Sequence, residues 1–202
     1  MPPEPTVYIV DDELLIRSIL EDIFNAANLP VATYASAEEF LLAYSPDNPG
    51  CLLLDMIMPG MNGLELQKAL TARGNNTPVI FLTGSGEVPI AVEALKAGAV
   101  DFIEKPVEAK RVLQCVKTAM ELDLRRRYER LQRSQIEQRI SLLTPRELEV
   151  MDWVVRGKSN KVIARILDIS SRTVEVHRKK VIDKMQAESV ADLVQMALKA
   201  QQ

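Results

Sequence analysis

Apolar runs and polar stretches alternate regularly along the first half of the chain. The apolar runs predict five strands, at 6–10, 31–35, 51–55, 78–84 and 101–104. Helical spacing predicts helices between them, at 14–27, after a Ser36–Glu39 capping box, at 63–74 and at 88–98. The third and fourth strands are apolar at nearly every position, which is typical of a parallel sheet covered on both faces. The alternation therefore predicts an α/β fold of the (βα)5 kind.

After residue 107 the pattern changes to that of one long helix. Val112 and Val116 keep one face apolar, and a narrower stripe of Leu124, Tyr128 and Leu131 follows among several arginines. A narrow stripe on a long helix indicates a linker or half of a coiled coil. A disordered basic linker is the alternative.

The last part of the chain has the pattern of four consecutive helices. The first is predicted to begin at a capping box of Thr144 and Glu147, with Pro145 at its first position, and to end at Gly157. The predicted caps of the next three are Ser159, Ser170, and Ser189 with Asp192. A short helix, a tight turn and a longer helix form the helix-turn-helix pattern. We predict domains at 1–122 and 142–202, joined by a linker helix at 123–141.

Composition and charge fit two soluble domains with different partners. The chain has 47% hydrophobic and 26% charged residues, as globular proteins do. Residues 1–122 carry 8 basic and 17 acidic residues, whereas residues 123–202 carry 17 and 11. The basic half could face nucleic acid or present a solvated surface. With no basic leader and no apolar run of about 18 residues, we expect a cytoplasmic protein and no membrane segment. Cys51 and Cys115 lie in apolar runs and are expected to be reduced core thiols.

Polar residues stand at the carboxyl ends of four predicted strands, where the functional groups of an open parallel sheet gather. They are Asp11-Asp12-Glu13, Asp55, Thr83 and Lys105-Pro106. In a sheet of order 2-1-3-4-5, Asp11, Asp12 and Asp55 would crowd one small pocket. Carboxylates so close repel one another, shift their pKa values or hold a cation, and Mg²⁺ (or Mn²⁺) suits such oxygen ligands. Alternatively, each acid only supplies negative charge at a helix N-terminus.

In such a pocket Asp55 has the chemistry of a nucleophile. A carboxylate can attack phosphorus and form an aspartyl-phosphate. The cation, Lys105 and the Thr83 hydroxyl would then stabilise the phosphoryl oxygens. Pro59-Gly60 turns the chain away and leaves the carboxylate open to a donor.

Residues 6–120 resemble the receiver domain of two-component response regulators. The matching segments are VDDE (10–13), LLDMIMPGMNGLEL (53–66), FLTGSG (81–86) and GAVDFIEKP (98–106). The resemblance implies a flavodoxin-like fold and phosphorylation of Asp55 by a sensor histidine kinase. It implies a metal held by Asp11, Asp12, Asp55 and the backbone carbonyl of Ile57. It also implies a switch pair, Thr83 and Phe102, and a phosphoryl-sensing Lys105 before a cis Pro106.

The resemblance also suggests how a signal would leave the pocket. In such receivers the threonine moves toward the phosphoryl group and the aromatic residue turns inward, which here would reshape the face from Pro89 to Phe102. We expect this face to form a dimer. A change of a few kcal/mol in the free energy between the inactive and active states, on the order of 10²-fold in the active fraction, suffices for this. Ser85 stands where similar receivers often have histidine, so the phosphoryl lifetime is not carried over.

The helix predicted over 171–185 has one core side and one exposed side. Val174, Val181 and Met185 fall on the core side, and the residues expected to read bases, Glu175, Val176 and Lys179, fall on the other. Val176 could contact a thymine methyl group, and Lys179 could reach guanine. The residues placed to bind phosphates are Lys161, Thr173, His177 and Lys180. His177 could equally be an interior residue.

Residues 143–185 resemble the LuxR/GerE-type helix-turn-helix domain, although Ser170-Ser171 replaces a common Ser-Pro. Together the two halves resemble the FixJ branch of the NarL/FixJ response regulators. The resemblance implies that a phosphorylated homodimer binds a two-fold-related operator in double-stranded DNA. It further implies that the bound dimer regulates transcription through RNA polymerase, as an activator.

Three other functions fit parts of the pattern. A phosphatase of the haloacid-dehalogenase type also forms an aspartyl-phosphate, but it needs an acid two residues after the nucleophile, where this chain has Ile57. A DNA-binding protein could use the first domain only for constitutive dimerisation. An RNA-binding antiterminator is disfavoured by the helix-turn-helix pattern.

Overall fold

The chain divides into two compact units, Met1–Arg126 and Arg127–Gln202. The structure, a computed structural model, describes residues 4–84, 95 and 98–200. Ser85, Pro89 and most of the helix predicted over 88–98 therefore lie outside the described residues. Within those that are described, no helix is both long and apolar enough to cross a bilayer. The domain limits that we expect from the sequence stay predictions.

The first unit is built on a parallel sheet. Its strands are β1 (Thr6–Val10), β2 (Val31–Tyr34), β3 (Gly50–Asp55), β4 (Val79–Thr83) and β5 (Asp101–Glu104). They lie in the order β2-β1-β3-β4-β5, and every neighbouring pair is parallel. The predicted fold class and strand order are confirmed. Because β1 lies between β2 and β3, the carboxyl ends of β1 and β3 are adjacent, which is the usual ligand position in such sheets.

Alternate residues of the central strand enter cores on opposite faces of the sheet. Cys51 and Leu53 pack on one face, and Leu52 and Leu54 pack on the other. All of β3 is buried, which explains why its sequence is continuously apolar up to Asp55. Cys51 is a buried free thiol, as expected, and burial raises its pKa to about 12.

Gly50 lets β1 and β3 approach closely at the amino end of the sheet. Its φ is +142°, and a Cβ atom built on it would lie 1.9 Å from the backbone oxygen of Thr6. Its N–H donates to the carboxylate of Asp123, at 2.9 Å. A side chain at this position would therefore force the two strands apart.

Four helices begin within the described residues of the first unit. They are α1 (Leu14–Ala26), α2 (Ala37–Ala43), α3 (Gly63–Ala72) and α4 (Ala109–Ser141). The predicted capping box of α2 is only half right. Ser36 accepts the Glu39 N–H at 3.1 Å, but the Glu39 carboxylate accepts the N–H of Ala35 at 2.7 Å rather than that of Ser36. The carboxylate reaches one residue further back along the chain than a capping box requires.

The long helix that the sequence predicts after residue 107 is α4. Val112 and Val116 are buried in the core of the first unit. Leu124, Tyr128 and Leu131 are 70%, 61% and 63% exposed, so the narrow apolar stripe belongs to neither core. The boundary between the two units falls within this helix.

The second unit contains four further helices. They are α5 (Pro145–Val155), α6 (Asn160–Leu167), α7 (Ser171–Met185) and α8 (Val190–Ala200). The capping box of Thr144 and Glu147 is present, and Ser170 accepts the Thr173 N–H at 3.0 Å. The prediction that Ser159 caps α6 is wrong for its side chain, which makes no capping hydrogen bond although the residue occupies the cap position. Ser189 accepts the N–H of Asp192 at 3.1 Å, as predicted.

An ion pair between a buried glutamate and a partly exposed lysine joins the start of α5 to the end of α7. Glu147 is 3% exposed, and its carboxylate lies 2.6 Å from Lys184 Nζ. The hydrogen bond from Lys184 and that from the Thr144 N–H lower the pKa of Glu147 to about 2. Lys184 also donates to the Leu142 carbonyl at 3.0 Å. The pair therefore satisfies a helix N-terminus and fixes the orientation of α7 in this unit.

Candidate functional site

Three carboxylates meet at the carboxyl edge of the sheet. Asp11 and Asp12 follow β1, and Asp55 ends β3; one oxygen from each lies within 4.8 Å of the others. Asp11 and Asp55 are buried, whereas Asp12 is exposed. The structure thus brings together the acids that the sequence places at these strand ends. Their role as metal ligands stays a prediction.

Asp11 is held from both sides. Its Oδ1 atom accepts the Glu13 N–H at 2.8 Å, and its backbone carbonyl accepts from Arg17 at 2.6 Å. Its Oδ2 atom is buried and accepts no well-directed hydrogen bond from the described residues, although Lys105 Nζ lies 2.9 Å away. A buried carboxylate oxygen that lacks a directed donor, beside two other acids, fits a divalent cation with oxygen ligands.

Lys105 lies among three carboxylates. Its Nζ atom is 2.9 Å from Asp11 Oδ2, 3.1 Å from Glu13 Oε1 and 3.1 Å from Asp55 Oδ1. Burial would lower the pKa of Lys105, but Asp11, Glu13 and Asp55 outweigh it and raise that pKa above its ordinary range. The ammonium group therefore stays charged and offsets part of the negative charge.

Asp55 is an ionisable group in an unfavourable environment. Burial and then the neighbouring charge of Asp11 raise its pKa to about 6, although Lys105 and the Met56 N–H favour the carboxylate. Near neutral pH Asp55 is ionised, but its charge is poorly solvated and faces another carboxylate. Such a group is suited to bind a cation and to act as a nucleophile.

The loop after Asp55 packs directly against the backbone of this residue. The Gly63 N–H donates to the Met56 carbonyl at 3.1 Å, and a Cβ atom on Gly63 would lie 2.3 Å from the Asp55 carbonyl oxygen. The Glu38 carboxylate accepts the Met61 N–H at 3.1 Å. The Ile57 side chain is 59% exposed, and its carbonyl as a metal ligand stays a prediction.

The remaining residues of the predicted switch stand around the same edge. Thr83 ends β4, is 2% exposed, and its carbonyl accepts the Lys105 N–H at 2.8 Å. Phe102 is half-buried against one face of the core. The Lys105–Pro106 peptide is cis, as the resemblance implies. The coupled movement of Thr83 and Phe102 stays a prediction.

The second candidate site is the exposed side of α7. Val174, Val181 and Met185 are buried, as their spacing predicts. The residues expected to contact DNA and found exposed on α7 are Thr173, Glu175, Val176, Lys179 and Lys180. Val176 is 49% exposed, and Lys161 is exposed on α6. The helix thus presents a polar face with one apolar residue among its charges.

His177 lies between the two roles that the sequence leaves open. The side chain is half-buried, and its Nδ1 atom is buried without a hydrogen-bond partner among the described residues. Its neighbour Arg178 donates to Asn160 Oδ1 at 2.7 Å and so ties α7 to the start of α6. This contact has no signal in the sequence, because a surface arginine and an asparagine at a helix start have no distinguishing pattern. Glu13 is expected only as one of the strand-end acids, and nothing beyond its place after Asp11 and Asp12 indicates a contact with Lys105.

Comparison with known proteins identifies both units. Residues 7–117 match the response regulator receiver domain, and residues 141–197 match the bacterial regulatory proteins of the luxR family. The chain belongs to the response regulators. This response regulator joins a receiver to a LuxR-type helix-turn-helix domain. The receiver implies a histidine kinase as partner, and the helix-turn-helix domain implies binding to DNA.

Relatives of this response regulator align over almost its whole length. It is 42% identical over 200 residues to the transcriptional regulatory protein FixJ of Azorhizobium caulinodans, covering 99% of this chain and 95% of that protein. The structure of the response regulator StyR superposes with a TM-score of 0.86 at 41% identity, covering 97% of this chain and 99% of that one. Full-length FixJ from B. japonicum superposes with a TM-score of 0.60 at 38% identity, covering 98% of both chains.

The raised pKa of Asp55 predicts a pH-dependent gain in stability for Asp55→Asn in the absence of metal. The folded pKa of about 6 exceeds the ordinary value of 3.8, so ionising Asp55 costs stability as pH rises through this window. The substitution removes that cost. Its gain in unfolding free energy over the wild type should grow by roughly 2 kcal/mol between about pH 4.5 and about pH 7.5. Urea denaturation in EDTA measures it.

The matched control is Asp22→Asn, which removes an exposed acid from α1. We expect this control to differ from the wild type by the same amount at both pH values. An Asp55→Asn protein whose advantage does not grow with pH would contradict the environment described for Asp55.

Proposed function

We propose that a sensor histidine kinase phosphorylates Asp55 and that the modified protein dimerises through its receiver and binds operator DNA to activate transcription. The observation that carries the proposal is the meeting of Asp11, Asp12 and Asp55 within 4.8 Å, with Lys105 Nζ 3.1 Å from Asp55. Acids this close need positive partners, and a phosphoryl acceptor needs the same partners for its product. The setting is cytoplasmic, with the kinase, double-stranded DNA and RNA polymerase as partners.

The chemistry at Asp55 is a phosphoryl transfer. A carboxylate oxygen of Asp55 bonds to phosphorus, the P–N bond of a phosphohistidine breaks, and the imidazole keeps the electron pair and takes up a proton. Asp11, Asp12 and Asp55, with the carbonyl of Ile57, would hold Mg²⁺ or Mn²⁺, which when bound lowers the repulsion between phosphoryl oxygens and carboxylates. Lys105 and the Thr83 hydroxyl would stabilise the transferred group. Support comes from the 3.1 Å between Lys105 Nζ and Asp55 Oδ1 and from the position of Thr83 at the end of β4.

The absence of an acid at position 57 supports a regulatory rather than a hydrolytic role. The residue two positions after Asp55 is Ile57, whose apolar side chain cannot protonate a leaving group. A phosphoryl group on Asp55 would instead act by changing the positions of Thr83 and Phe102. We infer that these two residues pass the change to the surface that includes β5, where two receivers then associate.

The exposed side of α7 is the proposed reader of the operator. Glu175, Val176 and Lys179 would contact base edges in the major groove. The phosphate-binding residues would be Lys161, Thr173, His177 and Lys180. A dimer would place two such helices on two-fold-related half-sites, so that dimerisation raises affinity for the operator.

Treatment with a small acyl phosphate and Mg²⁺ tests the phosphoacceptor. Intact-mass measurement should show one added phosphoryl group on the wild type and none on Asp55→Asn. Asp12→Asn keeps the nucleophile but removes a proposed cation ligand, so it should be modified more slowly and regain speed at higher Mg²⁺. Modification of Asp55→Asn at the wild-type rate would contradict the assignment.

Two lysines on the proposed DNA face should behave differently. Lys179→Ala should lose about 1–3 kcal/mol of discrimination at one operator position, because a base contact is specific. Lys161→Ala should weaken binding to all sequences alike and reduce the salt dependence by about one counterion. Titrations of the activated protein with operator and random duplexes at several salt concentrations measure both. Equal losses on both duplexes for Lys179→Ala would remove it from base readout.

A further inference from the structure

Glu13 is an unassigned member of the charge cluster around Lys105. Its Oε1 atom accepts a hydrogen bond from Lys105 Nζ at 3.1 Å. The side chain of Glu13 is 59% exposed, whereas those of Asp11 and Asp55, the other two carboxylates on this ammonium, are 0% and 8% exposed. Glu13 therefore contacts the lysine from the solvent side of the pocket.

The hydrogen bond to Glu13 occupies a donor of Lys105 that a phosphoryl group on Asp55 would need. Lys105 donates this bond to Glu13 at 3.1 Å, while Asp11 Oδ2 lies 2.9 Å from the ammonium group without a directed hydrogen bond. New phosphoryl oxygens at Asp55 would compete with these carboxylates for the lysine. Asp11 has no access to water and would keep a positive partner in any state of the pocket. The exposed Glu13 can be released to water at little cost.

The position of Glu13 is fixed by its backbone as well as by its side chain. Its N–H donates to Asp11 Oδ1 at 2.8 Å, and the residue has extended backbone just before the first residue of α1. The side chain therefore starts from a rigid point and reaches across the mouth of the pocket to Lys105. The glutamate spans this gap, and we expect a side chain one methylene shorter to fall short of the lysine.

We propose that Glu13 is a positioning residue that restrains Lys105 in the unmodified receiver and thereby opposes the phosphorylated state. The inference rests on the proposed function of Asp55. Glu13 competes with the phosphoryl group for Lys105, and the competition ends when the lysine turns from Glu13 to the new oxygens. The receiver thus carries a restraint on its own activation, set by an exposed ion pair that salt weakens.

Fluoroberyllate, which mimics a phosphoryl group on an aspartate, provides the test on the full-length chain. At saturating Mg²⁺, Glu13→Gln and Glu13→Asp should both bind fluoroberyllate about two- to fivefold more tightly than the wild type, the range that an exposed ion pair supplies. Calorimetric titration measures this affinity, and a separate titration without fluoroberyllate measures the affinity for Mg²⁺. The control Glu21→Gln removes an exposed acid from the same helix, about 12 Å further along, and should bind like the wild type.

The variants separate a contact with Lys105 from other roles of the charge. Glu13→Asp keeps the charge but is expected not to reach the lysine. If Glu13→Asp bound fluoroberyllate like the wild type while Glu13→Gln bound it more tightly, the charge of Glu13 would act through its general electrostatic field. That result would overturn the proposal. Glu13 variants that bind Mg²⁺ more weakly and fluoroberyllate no more tightly than the wild type would also overturn the proposal, because they would place Glu13 in the cation site. A wild type that binds no fluoroberyllate would overturn the proposed function itself and this inference with it.

Discussion

The repulsion between carboxylates at one edge of a parallel sheet is the constraint on which the receiver depends. Asp11 and Asp55 are buried together, and each would be costly alone. Lys105 compensates part of this charge, but burial and then the charge of Asp11 still raise the pKa of Asp55 to about 6. The pocket therefore carries negative charge that Lys105 offsets only in part. A cation would relieve this imbalance, and the same cation and lysine would offset the charge that a phosphoryl group adds to Asp55.

The fold delivers these groups through strand order and close backbone packing. Adjacent β1 and β3 carry the acids, while β4 and β5 bring Thr83 and Lys105 to the same edge. Gly63 allows α3 to begin directly against the Asp55 carbonyl. The sheet is covered on both faces, which keeps its strands rigid. A small change at the edge would therefore move individual side chains rather than strain the whole sheet.

Much of this arrangement could be predicted from the sequence, because it follows from patterns that one strand or helix carries by itself. Continuous apolar runs predict buried strands, and the acids after them predict the pocket. The misses all depend on side-chain reach across space. Glu39 bonds to Ala35 rather than Ser36, and the Ser159 side chain makes no capping bond. The contact between Glu13 and Lys105 joins residues 92 positions apart in the chain, so no local pattern could indicate it.

The helices of the second unit could be predicted equally well from the sequence. The contacts of its surface side chains could not. Spacing alone assigns Val174, Val181 and Met185 to the core of α7. It could not decide on His177, since a half-buried side chain on the border of two faces follows no periodic rule. The ion pair of Glu147 and Lys184 could not be predicted either, because capping boxes and lysines near helix ends are common on exposed helices.

Sedimentation velocity of the whole protein in Mg²⁺, with and without fluoroberyllate, tests the central claim that the acidic pocket controls assembly. The account predicts a monomer that becomes a dimer only with fluoroberyllate, and an Asp55→Asn protein that stays monomeric in both conditions. A wild type with the same sedimentation coefficient in both conditions, or an Asp55→Asn protein that also dimerises with fluoroberyllate, would contradict it.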